Sequence, residues 1–269
     1  MKDKFDHADF VTHKNYISHL NLISSNLQMQ CLSKVSVRFS KIKTVDQKVN
    51  LVNLTLINLK EEYKNIKQFP DYAVVCVSWI PIKSYYLIYN LAILLEYFIT
   101  SSEAYLLTIN HSKIWEEFKN LLSSNKIRFN KNKFNEVFAS TTAASWKIPQ
   151  YENVKVNNYN EVHRERGILR KILDYKIDDF KRLEKIKRLG GEKRKIYMKS
   201  TTLNMCEFFY WYRTKASYRD MQFVNRPVPV TDFKEFYENY YSFTLNFYTA
   251  LKKCVNELSL LRYGLVILK

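Results

Sequence analysis

Residues 83–95 read Lys83-Ser84-Tyr85-Tyr86-Leu87-Ile88-Tyr89-Asn90-Leu91-Ala92-Ile93-Leu94-Leu95. Apolar or aromatic side chains fill nearly every position, so a helix built on this run is apolar all round. Such a helix is stable only when protein surrounds it. Pro81 lies just upstream, where its missing N–H costs nothing in a first helical turn. The run is therefore expected to be a central buried helix. Lys83 and Ser84 separate the apolar stretches 72–82 and 85–100, and Glu96 interrupts the second. Neither is a clean membrane span of about 18 residues.

Outward from this run, helical spacing dominates. Phe10, Tyr16, Ile17, Leu20 and Ile23 predict a helix over about 10–32. Val49, Val52, Leu56, Leu59 and Tyr63 predict another over about 45–67, closed by Pro70. His111 opens a helix with Ile114, Trp115, Phe118, Leu121 and Leu122 on one side. Residues 123–160, rich in Asn, Ser, Lys and Thr, read as an extended connection with one short helix near 132–140. A charged stretch, 161–199, keeps an apolar stripe through Ile168, Leu169, Ile172, Leu173 and Ile177, and Gly190-Gly191 should break its helix. Helices over about 202–221 and 232–262 flank the linker Arg226-Pro227-Val228-Pro229.

The chain has 269 residues but only four glycines and five prolines. Sandwiches and barrels need a turn signal roughly every 8–12 positions, so an all-α fold is expected. The formal net charge of +17 predicts attraction to polyanions. Met1 is followed by a polar, charged start with no secretory pattern, which points to the cytoplasm. Cys31, Cys76, Cys206 and Cys254 are scattered, with no zinc-ligand spacing. No nucleotide-binding glycine loop, nucleophile elbow or metal-binding cluster is written in the sequence, so neither cofactor nor metal is expected, and no membrane partner.

The stretch Glu207-Phe208-Phe209-Tyr210-Trp211-Tyr212-Arg213-Thr214-Lys215-Ala216-Ser217-Tyr218-Arg219-Asp220 carries the sharpest chemical signal. Arg213, Ser217 and Asp220 fall at i, i+4 and i+7, one polar stripe on an aromatic helix. A guanidinium keeps its charge in a protein, so Arg213 requires a carboxylate, a phosphate or water. It is read either as half of a structural ion pair or as a phosphate-contacting residue.

Arg213-x-x-Ala216-x-Tyr218 resembles the R-x-x-A-D-Y signature of one branch of the HEPN (higher eukaryote and prokaryote nucleotide-binding) domains. Ser84-Tyr85-Tyr86-Leu87-Ile88-Tyr89-Asn90-Leu91-Ala92 resembles that family's central helix, and His111-Ser112-Lys113-Ile114 through Phe118 the opening of its third. The resemblance covers roughly 72–122 and 200–262. It implies a HEPN-like helical bundle in four parts: an N-terminal helical extension (1–70), a first half (71–122), an insertion with basic helices (123–199) and a second half (200–269). It also implies a homodimer acting on RNA, in many members as a metal-independent ribonuclease of microbial defence or toxin–antitoxin systems. The alternative is a non-catalytic subunit that binds nucleic acid or nucleotide, or docks a nucleotidyltransferase-type or defence-complex partner. The family's active site is Arg-x(4–6)-His, and Arg213 matches its arginine. Tyr218 stands where the shortest spacing puts the histidine, and Ser217 replaces the acidic residue. Histidine moves protons near neutral pH, whereas an ordinary tyrosine titrates near 10. The candidate site is therefore Arg213, Tyr218, Ser217 and Asp220, with His111 as a source of the missing imidazole.

Residues 161–199 hold 14 Lys+Arg and 7 Asp+Glu. Arg164, Arg166, Arg170, Lys171, Arg182, Lys185, Lys187, Arg188, Lys193 and Arg194 are the candidate phosphate-backbone contacts, set against an ion-paired solvated face. The aromatic run 236–243 is read as core or interface, with base stacking the sharper alternative.

Overall fold

The computed structural model describes residues 3–33, 35, 42–107, 110–147, 161–185, 190–218 and 228–268. Eleven α-helices are present among them. In chain order these are α1 (Asp3–Ile23), α2 (Lys43–Gln68), α3 (Tyr72–Cys76), α4 (Ile80–Thr100), α5 (Ala104–Leu107) and α6 (His111–Ser123). There follow α7 (Ser140–Ser145), α8 (Glu161–Leu183), α9 (Gly191–Ser200), α10 (Phe208–Tyr218) and α11 (Val230–Tyr263). Two antiparallel strand pairs are also present, β1 (Met29–Cys31) with β2 (Ile127–Phe129) and β3 (Phe138–Ala139) with β4 (Thr202–Leu203). The fold is all-α.

As the sequence predicts, α4 is the buried axis. It packs against α2, α6, α10 and α11, while α1 lies on α11 and α8 on α1, α7 and α10. Pro81 sits in its first turn, and Ser101 closes it in a left-handed conformation, donating its N–H to the Tyr97 carbonyl. Arg262 of α11 donates Nε to the Phe98 carbonyl, satisfying an acceptor that the helix end leaves open. The aromatic run of α11 is core: Phe236, Tyr237, Tyr240 and Phe243 are fully buried. Phe243 stacks on Phe209 of α10 at 4.6 Å, so base stacking by this run is ruled out.

Glu96 departs from the apolar character of α4. Its carboxylate is buried, with no hydrogen-bond partner on either oxygen among the described residues. Burial, with repulsion from Glu117, raises its pKa from 4.5 to about 9. The folded state thus favours the neutral acid, and the stability this brings is lost as pH rises from 4.5 through 9. One pKa unit is about 1.4 kcal/mol. The stability difference between Glu96→Gln and the parent should therefore grow, in favour of the variant, by on the order of 3 kcal/mol between pH 5 and pH 8. Urea midpoints at the two pH values check this, and a pH-independent difference contradicts it.

Four boundaries differ from the sequence reading. The first helix stops at Ile23, not near residue 32, because Asn26 takes a left-handed φ of 56° and turns the chain into β1. The helix expected from residue 202 starts at Phe208. Asn204 intervenes: its Oδ1 accepts from the Cys206 N–H, and its Nδ2 donates to the Phe134 and Glu136 carbonyls. The region 123–147 is more ordered than an extended connection, with β2, a 3-10 turn at Asn132–Phe134, β3 and α7. The charged helix expected to run to Gly190-Gly191 ends at Leu183, and Gly191 opens α9; of the linker 226–229, only Val228 and Pro229 lie within the described residues.

Gly167 marks where α8 meets α1. A Cβ there would lie 2.6 Å from the Tyr16 Oη and 3.0 Å from two ring carbons of that buried tyrosine. Overpacking of this kind costs about 1–3 kcal/mol, more than the roughly 1 kcal/mol alanine gains in helix propensity. Gly167→Ala should lower the urea midpoint, and Gly167→Ala/Tyr16→Leu should recover part of the loss. An unchanged midpoint in the single variant contradicts this packing.

Candidate functional site

Two residues from distant parts of the chain meet on the face of α4. Arg213, on α10, is half-buried. Its guanidinium carbon lies 5.0 Å from the ring centre of Tyr85 and 5.5 Å from that of Tyr86. One guanidinium nitrogen donates to Tyr86 Oη at 3.3 Å. His111, the first residue of α6, hydrogen-bonds through Nδ1 to Tyr85 Oη at 2.6 Å, and its ring sits 4.6 Å from that of Tyr89. Arg213 and His111 thus share the Tyr85–Tyr86 platform. The place of His111 at a helix start makes a capping or packing role the alternative to catalysis. The cap is its neighbour Asn110, whose Oδ1 accepts from the Lys113 N–H, so the imidazole is not used there.

The electrostatics follow from this grouping. Burial lowers the His111 pKa below 6.5, and the charges of Arg213 and Lys48 lower it further, so the ring is neutral at pH 7. The Tyr85 phenol is pushed well above its ordinary value, chiefly by burial, and keeps its proton. The hydrogen bond between them admits two tautomers. When Tyr85 donates, His111 Nε2 carries a proton it can give. When Nδ1–H donates, Nε2 holds a lone pair that can take one. A fixed cation beside such a ring has the composition needed to neutralise a phosphate and move one proton.

Of the other expected site residues, Ser217 and Tyr218 form the end of α10, and their side chains, like Asp220 altogether, lie outside the described residues. The structure adds three groups that the sequence reading does not assign to the site: Tyr85, Tyr86 and Lys48. The tyrosines are signalled by the Ser84-Tyr85-Tyr86 run. Lys48 carries no signal, being one lysine on a mixed helix face.

The basic helices are partly self-neutralised. Arg170 reaches Asp174 and the Ala144 carbonyl, Arg182 reaches Asp179, and Lys193 lies 3.5 Å from Glu184. Arg166 sits 5.7 Å over the Trp146 ring, and Arg164 is half-buried. Lys171, Lys185 and Arg194 form no ion pair among the described residues, the last two being exposed. Lys187 and Arg188 lie outside those residues.

Beside α8 is an ionic cluster absent from the sequence reading, in which Lys119, Lys176 and Glu207 are buried and Glu116 is exposed. Lys176 Nζ donates to Glu207 Oε1 at 2.6 Å and to the Thr202 carbonyl at 2.9 Å. Lys119 Nζ donates to Glu116 at 2.9 Å and to the same Thr202 carbonyl at 3.1 Å. Burial opposes the charge on Lys176, but Glu207 and Glu116 outweigh it and raise its pKa. Burial likewise opposes the charge on Glu116, yet Lys176 and Lys119 hold its pKa down.

Among the described residues no helix is long and apolar enough to cross a membrane, and no group of three or more His, Cys, Asp or Glu side chains is placed to hold a metal ion. Comparison with protein-family models, with curated proteins and with solved structures finds no match for this chain.

Proposed function

We propose that this chain is a HEPN-like RNA-binding protein whose Arg213–His111 centre cleaves RNA without a metal. The observation that carries the reading is the convergence of a guanidinium and a neutral imidazole on one aromatic platform. In this mechanism His111 takes the proton of a 2′-OH, that oxygen attacks the adjacent phosphorus, and Arg213 holds the phosphate oxygens as charge builds on them. The proton returns to the departing 5′ oxygen. The resemblance of the Arg213, Ser84–Ala92 and His111 segments to HEPN domains supports the same substrate. The net charge of +17 supports a polyanionic partner. Tyr218 in place of a histidine favours a second reading, in which the same centre grips RNA and breaks no bond.

Incubating purified protein with mixed RNA in EDTA tests this. The parent should cleave, Tyr218→Phe should retain cleavage, and Arg213→Ala should lose about 100- to 1000-fold in rate, the usual cost of one charge-stabilising donor. Cleavage that survives Arg213→Ala unchanged contradicts the site. Salt-sensitive binding without cleavage leaves the binding-only reading.

A further inference from the structure

A cavity of about 160 Å³ lies beside the Arg213–His111 centre, between α6, α8, α9 and α10. Five of its eleven lining residues are aromatic. Phe180 and Tyr197 stack on each other at 4.3 Å across α8 and α9, and Tyr210 meets Trp211 edge-on at 4.6 Å on α10. Trp115 supplies a further wall from α6. The covalent chain ties this cavity to the centre at two points. Ser112, at its edge, follows His111 directly, and Tyr210 lies three residues before Arg213, one turn away on the same side of α10. The polar side chains that reach it are already engaged: Lys176 bonds Glu207, Glu116 accepts from Lys119, Asp179 accepts from Arg182, and Ser112 donates to Asn110, so the uncommitted surface is the aromatic one.

A planar, largely apolar ring is the ligand such walls accept, and a cavity of about 150 Å³ holds a single six-membered ring. Unpaired bases bind proteins by stacking on aromatic side chains while the neighbouring phosphate meets a cation. We infer that this cavity takes one unpaired pyrimidine base of the RNA strand whose phosphate lies at Arg213 and His111. The inference rests on the RNA reading above and gives that site its base selectivity. Double-stranded RNA, whose bases are stacked and paired, is excluded from it.

The test compares two labelled oligomers of equal length at low salt, an oligouridylate and the same ribose-phosphate chain without bases. Binding is followed by anisotropy, and by the fluorescence of the tryptophans, two of which line the cavity. The parent should bind oligouridylate about tenfold more tightly than the abasic chain, with quenching by oligouridylate alone. Leu183, at the cavity and 67% exposed, can be enlarged without disturbing the core. Leu183→Trp should bring the affinity ratio close to one while leaving abasic binding unchanged. Equal affinities and no quenching in the parent overturn the base pocket and leave the phosphate site standing. A tenfold ratio that persists in Leu183→Trp places the base elsewhere and also overturns it. Failure of both oligomers to bind removes the RNA reading itself.

Discussion

Lys176→Met should destabilise the protein by about 3 kcal/mol, and adding Glu207→Gln should restore more than half of that loss. The first substitution removes the closest partner of Glu207, a carboxylate 2% exposed. Breaking one side of a buried ion pair costs about 3–5 kcal/mol, because the remaining charge stays out of water. Lys119, 3.4 Å from the same carboxylate, still offers partial compensation, which puts the effect at the lower end. Glutamine at 207 keeps an oxygen for the Asn204 N–H, which Glu207 Oε2 accepts at 2.9 Å, but carries no charge to strand. Urea denaturation of the parent, the single and the double variant checks this. A single variant as stable as the parent, or a double variant less stable than the single, contradicts the cluster as a linked set of charges.

His111→Gln should lower the rate of RNA cleavage by about 100- to 10 000-fold, the range for loss of a positioned general acid or base, with RNA affinity within about twofold of the parent. The pH profile gives a second readout. The His111 pKa lies below 6.5 through burial and the charges of Arg213 and Lys48. The neutral ring therefore persists through pH 7, and the parent rate should fall as pH drops through that lowered value. The acid limb should vanish in His111→Gln. Equal loss in affinity and in rate would instead make His111 a packing residue.

Much of the bundle is legible in the sequence because its signals are local. The run 83–95 is apolar on all sides, and only a central helix accommodates that. The long stripe from 232 onward reads as α11, and Gly264 ends it with a φ of 73°. The strand pairs are not legible: at two or three residues each, they are too short to show an alternating pattern. The buried lysines are hidden for another reason. Lys176 sits in the most charged stretch of the chain and reads as solvated, until a partner 31 residues away is seen beside it. The candidate site is half legible. Arg213 and His111 stand out by residue type and by their places in the HEPN-like pattern, whereas their shared platform on α4 depends on how three helices pack.

The central claim is that Arg213 and His111 act on one phosphodiester as a unit, and a double-variant cycle on RNA cleavage in EDTA tests it most directly. Residues that act together lose their effect together. Arg213→Ala/His111→Gln should be no slower than the slower single variant within about threefold. Rate losses that multiply, or a parent that does not cleave RNA, would contradict the claim.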